Sequence, residues 1–301
     1  MRRRIAVLGL LMSLTILCCS GCGLLDYAKG AVNKQMEKVI VGETEQVDSI
    51  SGDRYAYGQL TEEEQVVYDQ ILHCILEHEE KVAVMTKDAE LLQKVYDCMM
   101  ADYGGLFWIQ GYQYNTYTSM EQVIGIEFVP SYTFTKEQTA EYQAQIDAVV
   151  EEWMAGIGPD DSDFAKSKYV FETLVNNVEY DKDSENNQNI LSVFLGRSTV
   201  CQGYADATQY LLQQLGIQSM IVRGKANGES HAWNLVCLDG EYYFMDTTWG
   251  NSRYLMPDSS LQKFVNYDYL NATSAFMAET HEADMPIELP ECNSTACHYQ
   301  Q

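Results

Sequence analysis

The chain has 301 residues and a formal net charge of −25, from 19 Lys and Arg against 44 Asp and Glu. That balance excludes a nucleic-acid partner, which needs a basic surface, and disfavours adsorption to anionic lipid or teichoic polymers. With 46% hydrophobic and 21% charged residues it reads as a folded protein, long enough for one large or two small domains.

Residues 1–21 read as a leader: Arg2, Arg3 and Arg4 form a basic segment, and Ile5 to Leu17 is an apolar run too short to span a bilayer. Cys19-Ser20-Gly21-Cys22 follows. Small residues before a cysteine resemble a bacterial lipobox, which implies cleavage before Cys22 and a lipid on its sulfur; ordinary signal-peptidase cleavage is the alternative. Residues 22–60 read as a tether and domain entry.

Residues 61–158 are expected to form an N-terminal helix-and-strand subdomain. Thr61 with Glu64 is a capping box opening a helix that runs to about His78. His73 and His78, five apart, fall on different faces and read as surface residues. A short strand is expected over Lys81–Met85, a helix over Asp88–Ala101, and β-structure over Leu106–Tyr117 and Val123–Phe134. The run FWIQGYQYNTYT suits a substrate groove, but packing an antiparallel sheet is the favoured reading. Thr135, with Gln138, caps a helix to Met154.

Residues 159–301 carry the chemistry. A helix from Ser162 ends near Asn177. The polar loop Asp183–Asn189 is expected to border a cleft. The run Cys201 to Gln214 has one apolar stripe (Tyr204, Ala207, Leu211, Leu215), with Gly216 closing the helix. Cys201 thus sits in a first helical turn, where open N–H groups and the helix dipole favour a thiolate. Gly203 is expected to leave room for a substrate. Two strands, Ala232–Leu238 and Glu241–Thr247, flank Asp239-Gly240, a two-residue hairpin signal. That register makes Trp233 face Asp246 and sets His231 diagonal to it on one face, about 7–8 Å apart along the backbone. Asp246 would orient His231, and His231 would take the proton of Cys201.

The motifs VCQGYA, HAWN and YYFMDTTW, with VEYD upstream, resemble those of the transglutaminase-like superfamily, above all its bacterial secreted members with a papain-like core. The resemblance runs over about Phe164 to Tyr254. It implies an α+β fold, with a catalytic helix packed on an antiparallel sheet, and cysteine-dependent acyl chemistry on an amide. It implies Cys201, His231 and Asp246 as the catalytic set and needs no cofactor or metal. Tyr180 and Gln202 are weaker candidates for the oxyanion or substrate site; for Tyr180 a packed corner tyrosine is preferred. Animal cross-linking members carry tryptophan after the cysteine, where this chain has Gln202, so hydrolysis is favoured over transamidation. The expectation is a peptidase or amidase, lipid-anchored on the outer face of a bacterial membrane, acting on a peptide or protein such as cell-wall peptide. The rivals are a transamidase and a non-catalytic peptide-binding protein. Past Gly250 the chain reads as loop over Leu255–Tyr269, a helix over Asn271–Thr280 and an extended tail. Cys292 and Cys297 are close enough in sequence for a disulfide. Cys74, Cys98 and Cys237 read as buried thiols.

Overall fold

The computed structural model describes residues 53–119, 121–256 and 261–299. The expected leader, the lipidation site Cys22 and most of the tether lie outside them. The described chain opens on α1 (Tyr55–Gly58), which is docked: the buried Asp102 carboxylate accepts from the Ala56 and Tyr57 amides and the Tyr68 hydroxyl.

Then follow α2 (Glu62–Leu76), β1 (Val82–Val84), α3 (Ala89–Asp102), β2 (Ile109–Ser119), β3 (Gln122–Tyr132), α4 (Lys136–Met154) and α5 (Asp163–Asn177). Each long helix among these starts on a side-chain cap. Thr61 and Glu64 form the expected box on α2, and Thr135 with Gln138 does the same on α4. Asp88 and Ser162 cap α3 and α5. Strands β1, β3 and β2 form an antiparallel sheet in that order.

The chain continues through β4 (Glu179–Tyr180), α6 (Ile190–Phe194), β5 (Ser198–Thr199), α7 (Cys201–Gln214), β6 (Ser219–Ala226), β7 (Glu229–Leu238) and β8 (Glu241–Met245). Next come α8 (Thr247–Gly250), β9 (Asn251–Leu255), β10 (Leu261–Val265), α9 (Ser274–Met277) and β11 (His281–Ala283). The central sheet is antiparallel in the order β11-β6-β7-β8. Asp239 and Gly240 both have positive φ (51° and 82°), as a tight primed hairpin turn demands. Leu238 therefore faces Glu241, the register expected from the sequence.

Side chains alternate across this sheet. Trp233 and Leu235 enter one core, shared with α2, α3 and the C-terminal segment. Val236 and Leu238 enter the other, shared with α5, α6 and α7. Cys292 belongs to the first core and Cys297 to the second, both as buried free thiols, so the disulfide considered between them is not present. Cys74 and Cys98 are buried as expected, whereas Cys237 is half-buried. The stretch expected to be loop, Leu255–Tyr269, holds β10, which pairs with β9 before it, and a 3-10 turn at Tyr267–Tyr269. The helix expected over Asn271–Thr280 is confined to α9. His78 is no simple surface residue: it stacks on Trp108 and Tyr132, with Nε2 3.1 Å from the Thr139 hydroxyl.

The two halves are joined through Gln209 of α7. Its amide donates to the Asp102 carbonyl (2.7 Å) and accepts from the Gly104 amide (2.9 Å). A Cβ on Gly104 would lie 2.4 Å from the Asp206 carbonyl oxygen. Gly104→Ala is thus expected to push the loop after α3 off α7 and to cost about 1–3 kcal/mol, measured by urea unfolding.

Candidate active site

Cys201 is the first residue of α7, and here the capping pattern of the other long helices stops. Val200 precedes it in extended conformation and makes no side-chain cap. The first-turn amides are left to other acceptors. The Gln202 and Ala232 amides point at the cysteine sulfur. Gly203 does not open space for substrate: a Cβ there would sit 2.0 Å from the Thr199 hydroxyl oxygen, so its smallness lets α7 pack against β5.

His231 lies on β7, and Asp246 directly follows β8 and caps α8 by accepting from Trp249 N–H (3.0 Å). The ladder from Leu238↔Glu241 to Asn234↔Met245 puts Asp246 level with Trp233 and diagonal to His231. The ring and the carboxylate close that gap, with Nε2 to Oδ2 at 2.8 Å. The other ring nitrogen is left for Cys201, whose sulfur is within hydrogen-bond reach of the imidazole. The ring packs against Trp233 and Trp249. Cys201, His231 and Asp246 are brought together.

The electrostatics follow from this contact. Burial pushes the Cys201 thiol up, but the His231 hydrogen bond, the imidazolium charge and the two amides outweigh it, and the net shift is down. Burial pushes His231 down, yet the Asp246 and Cys201 partners raise it to about 9. Asp246, wholly buried, is driven up by burial and brought below its ordinary value by His231, His281 and the Trp249 amide. Near neutral pH the imidazole is held protonated, and the thiol beside it is shifted toward the thiolate.

His281 was not foreseen. It opens β11, pairs with Ala226 on the sheet edge, and places Nε2 3.1 Å from the same Asp246 oxygen. Its Nδ1 is 2.8 Å from the Thr280 hydroxyl, which as the donor leaves Nε2–H to donate to the carboxylate. Asp246 thus accepts from two imidazoles and one amide. No sequence motif marked His281; only β11 docking on β6 brings it in. His231, Asp246 and His281 offer ligand atoms within 4.8 Å of one another, a set whose chemistry suits a divalent cation. Both Nε2 atoms already share Asp246 Oδ2, and the side chains are 8%, 0% and 1% exposed, so the arrangement is complete as a hydrogen-bonded centre.

The weaker candidates have distinct places. Tyr180 is 41% exposed instead of a packed corner, near enough to Cys201 for the thiolate to raise its phenol after burial does. Its hydroxyl makes no hydrogen bond among the described residues. The Gln202 side chain is turned away from the sulfur: Nε2 donates to Asp206 Oδ1 (2.7 Å) and Oε1 accepts from Arg223 Nε (3.4 Å). A cleft chamber of about 450 Å3 holds Cys201 and His231 with Arg223, Lys225, Asp284 and Pro286. A second, of about 340 Å3, is lined by Tyr96, Phe107, Gln110 and Asp206. Gln188, Gln202 and Arg223 line both. The polar loop before the cysteine therefore borders the cleft, and the start of the aromatic run lines it while its later residues form β2.

Burial raises Asp206 to about 7 against the pull of Arg223 and Gln202. A raised carboxyl favours folding while it is neutral, below about pH 4, and loses that contribution as pH climbs through 7. Asp206→Asn is expected to match the native protein at pH 4 and to exceed it by about 2–4 kcal/mol at pH 8.5, since each tenfold gain in proton affinity on folding corresponds to ~1.4 kcal/mol. Urea unfolding at the two pH values measures this.

With the geometry in hand, the chain can be set beside known proteins. Residues 131–247 match the family model of the transglutaminase-like superfamily, a span that holds Cys201, His231 and Asp246 but not His281. Among curated proteins the chain is similar to kyphoscoliosis peptidase of Mus musculus, at 24% identity over 41% of this chain and 21% of that protein. The human protein of the same name is 30% identical over 29% of this chain and 15% of that protein. The chain thus spans about a fifth or less of the length of these relatives. Among solved structures, a TGase aligns at 15% identity and TM-score 0.35, covering 60% of this chain and 54% of that one. The periplasmic domain of TgpA from Pseudomonas aeruginosa aligns at 14% and 0.28, covering 46% and 66%. By the family match, residues 131–247 carry a transglutaminase-like core domain.

Proposed function

We propose that this chain is a cysteine-dependent amide hydrolase, a peptidase or amidase working through Cys201, His231 and Asp246. The observation that carries the reading is the contact of one imidazole with both the Cys201 sulfur and the buried Asp246 carboxylate, at the uncapped tip of a helix. The thiolate attacks the amide carbonyl, and the oxyanion meets the first-turn amides of α7 and the unspent Tyr180 hydroxyl. His231 gives its proton to the leaving amine as the C–N bond breaks, leaving a thioester on Cys201. His231, now neutral, takes a proton from water, whose oxygen attacks the thioester and frees the thiolate. Asp246 holds the ring in orientation throughout.

The leader and Cys22 support a lipid-anchored enzyme on the extracytoplasmic face of a bacterial membrane, with peptide or protein, cell-wall peptide included, as substrate. The test incubates purified protein with peptide and stem-peptide libraries and reads products by mass, so that hydrolysis and amine transfer separate. Hydrolysed products that vanish in Cys201→Ala, with a Tm within about 2 °C of native, are expected. Amine-linked products would make it a transamidase, and no products with intact binding would make it a peptide-binding protein.

A further inference from the structure

We infer that the cleft beside Cys201 takes an acyl donor that carries a carboxylate, and that Arg223 is the residue that receives it. The inference rests on the reading of Cys201 as nucleophile. Arg223 faces Ala232 across β6 and β7, on the sheet side that meets the first turn of α7, where Ile221, Ala232 and Ala205 pack together. It is half-buried and, among the described residues, is the cation that lines both chambers. Its guanidinium spends one donor, Nε, on Gln202 at 3.4 Å. Both Nη groups are without a hydrogen-bond partner among the described residues, and no carboxylate there lies within ion-pair distance.

One counter-charge, Asp206, is set behind Gln202. The Gln202 amide takes Asp206 for itself at 2.7 Å, interposing a neutral group between acid and guanidinium. Burial also leaves Asp206 only partly ionised at neutral pH. The other charges of the sulfur chamber are spoken for or stand at its rim. Asp97 accepts from Gln93 (3.0 Å), while Lys225 and Asp284 are exposed. A half-buried guanidinium with its fork open loses hydration without gaining a partner. A carboxylate arriving with the substrate supplies two parallel charge-assisted hydrogen bonds in the geometry guanidinium prefers. In a chain of net charge −25, a guanidinium with an open fork beside the thiol is a local exception that selects for such a group. An acidic side chain and a free C-terminal carboxylate offer the same chemistry.

Three maleimides test this on the whole protein: N-ethylmaleimide, 3-maleimidopropionate and 6-maleimidohexanoate, with labelling of Cys201 followed by mass. At least one carboxylated reagent is expected to react about tenfold faster, relative to N-ethylmaleimide, than with a small free thiol, and 0.5 M NaCl should erase most of that ratio. Arg223→Gln should bring the ratio to the free-thiol value and Arg223→Lys should keep part of it. Should Arg223→Gln fail to fold, the salt dependence of the native protein decides. Protection against N-ethylmaleimide by three blocked tripeptides separates the sources: neutral with an amidated end, with an internal glutamate and an amidated end, and neutral with a free carboxylate end. A free-thiol ratio in the native protein, with fast N-ethylmaleimide labelling, overturns the role of Arg223 alone. Slow labelling by all three reagents overturns the nucleophile reading itself.

Discussion

His231→Ala is expected to slow alkylation of Cys201 at pH 7 by about a hundredfold. Two of the influences that lower the Cys201 thiol come from His231, its hydrogen bond and its charge. Without the ring, burial acts against the two amides alone, and the thiol returns to its ordinary value or above. At pH 7 that leaves about one sulfur in a hundred as thiolate, and the thiolate is the reacting species. The shape of the pH profile separates this from a loss of packing. The native protein should label faster than the variant near neutrality and rise less steeply with pH up to about 9, where the imidazolium gives up its proton. The variant should instead rise about tenfold per pH unit across that range. A flat profile in the variant would mean that the sulfur does not depend on the imidazole.

His281→Ala has the second-largest expected effect. Asp246 is fully buried, and its ionised form is held by three donors. Removing one leaves a buried carboxylate short of a hydrogen bond, which costs about 1–3 kcal/mol of stability, and weakens the anion that raises His231. The alkaline end of the labelling profile, set near pH 9 by His231, is expected to move toward neutrality. His281→Gln, which presents an amide N–H in place of Nε2–H, should recover much of both. A stability loss with an unmoved alkaline limb would reduce His281 to packing.

Much of this site was legible in the chain because it rests on local rules. Asp239-Gly240 permits one tight turn, that turn permits one register, and the register sets His231 and Asp246 on one face. Thr61 with Glu64 and Thr135 with Gln138 announced two helix starts for the same reason. What escaped depends on long-range pairing. His281 sits in a short polar segment with no periodicity, and β11 exists because β6 offers it an edge. Arg223 and Asp206 carry no signal in the sequence; only the crossing of α7 over the sheet brings them together around Gln202. Gly203 shows the converse: its smallness was visible, but its neighbour proved to be Thr199 and not a substrate.

The docking of β11 also ties the buried acid to a segment 35 residues downstream. His281 reaches Asp246 only while β11 holds the edge of β6, so local opening of that edge strand removes one of the three donors of the carboxylate. Fraying of that short edge strand is thereby felt at a fully buried carboxylate.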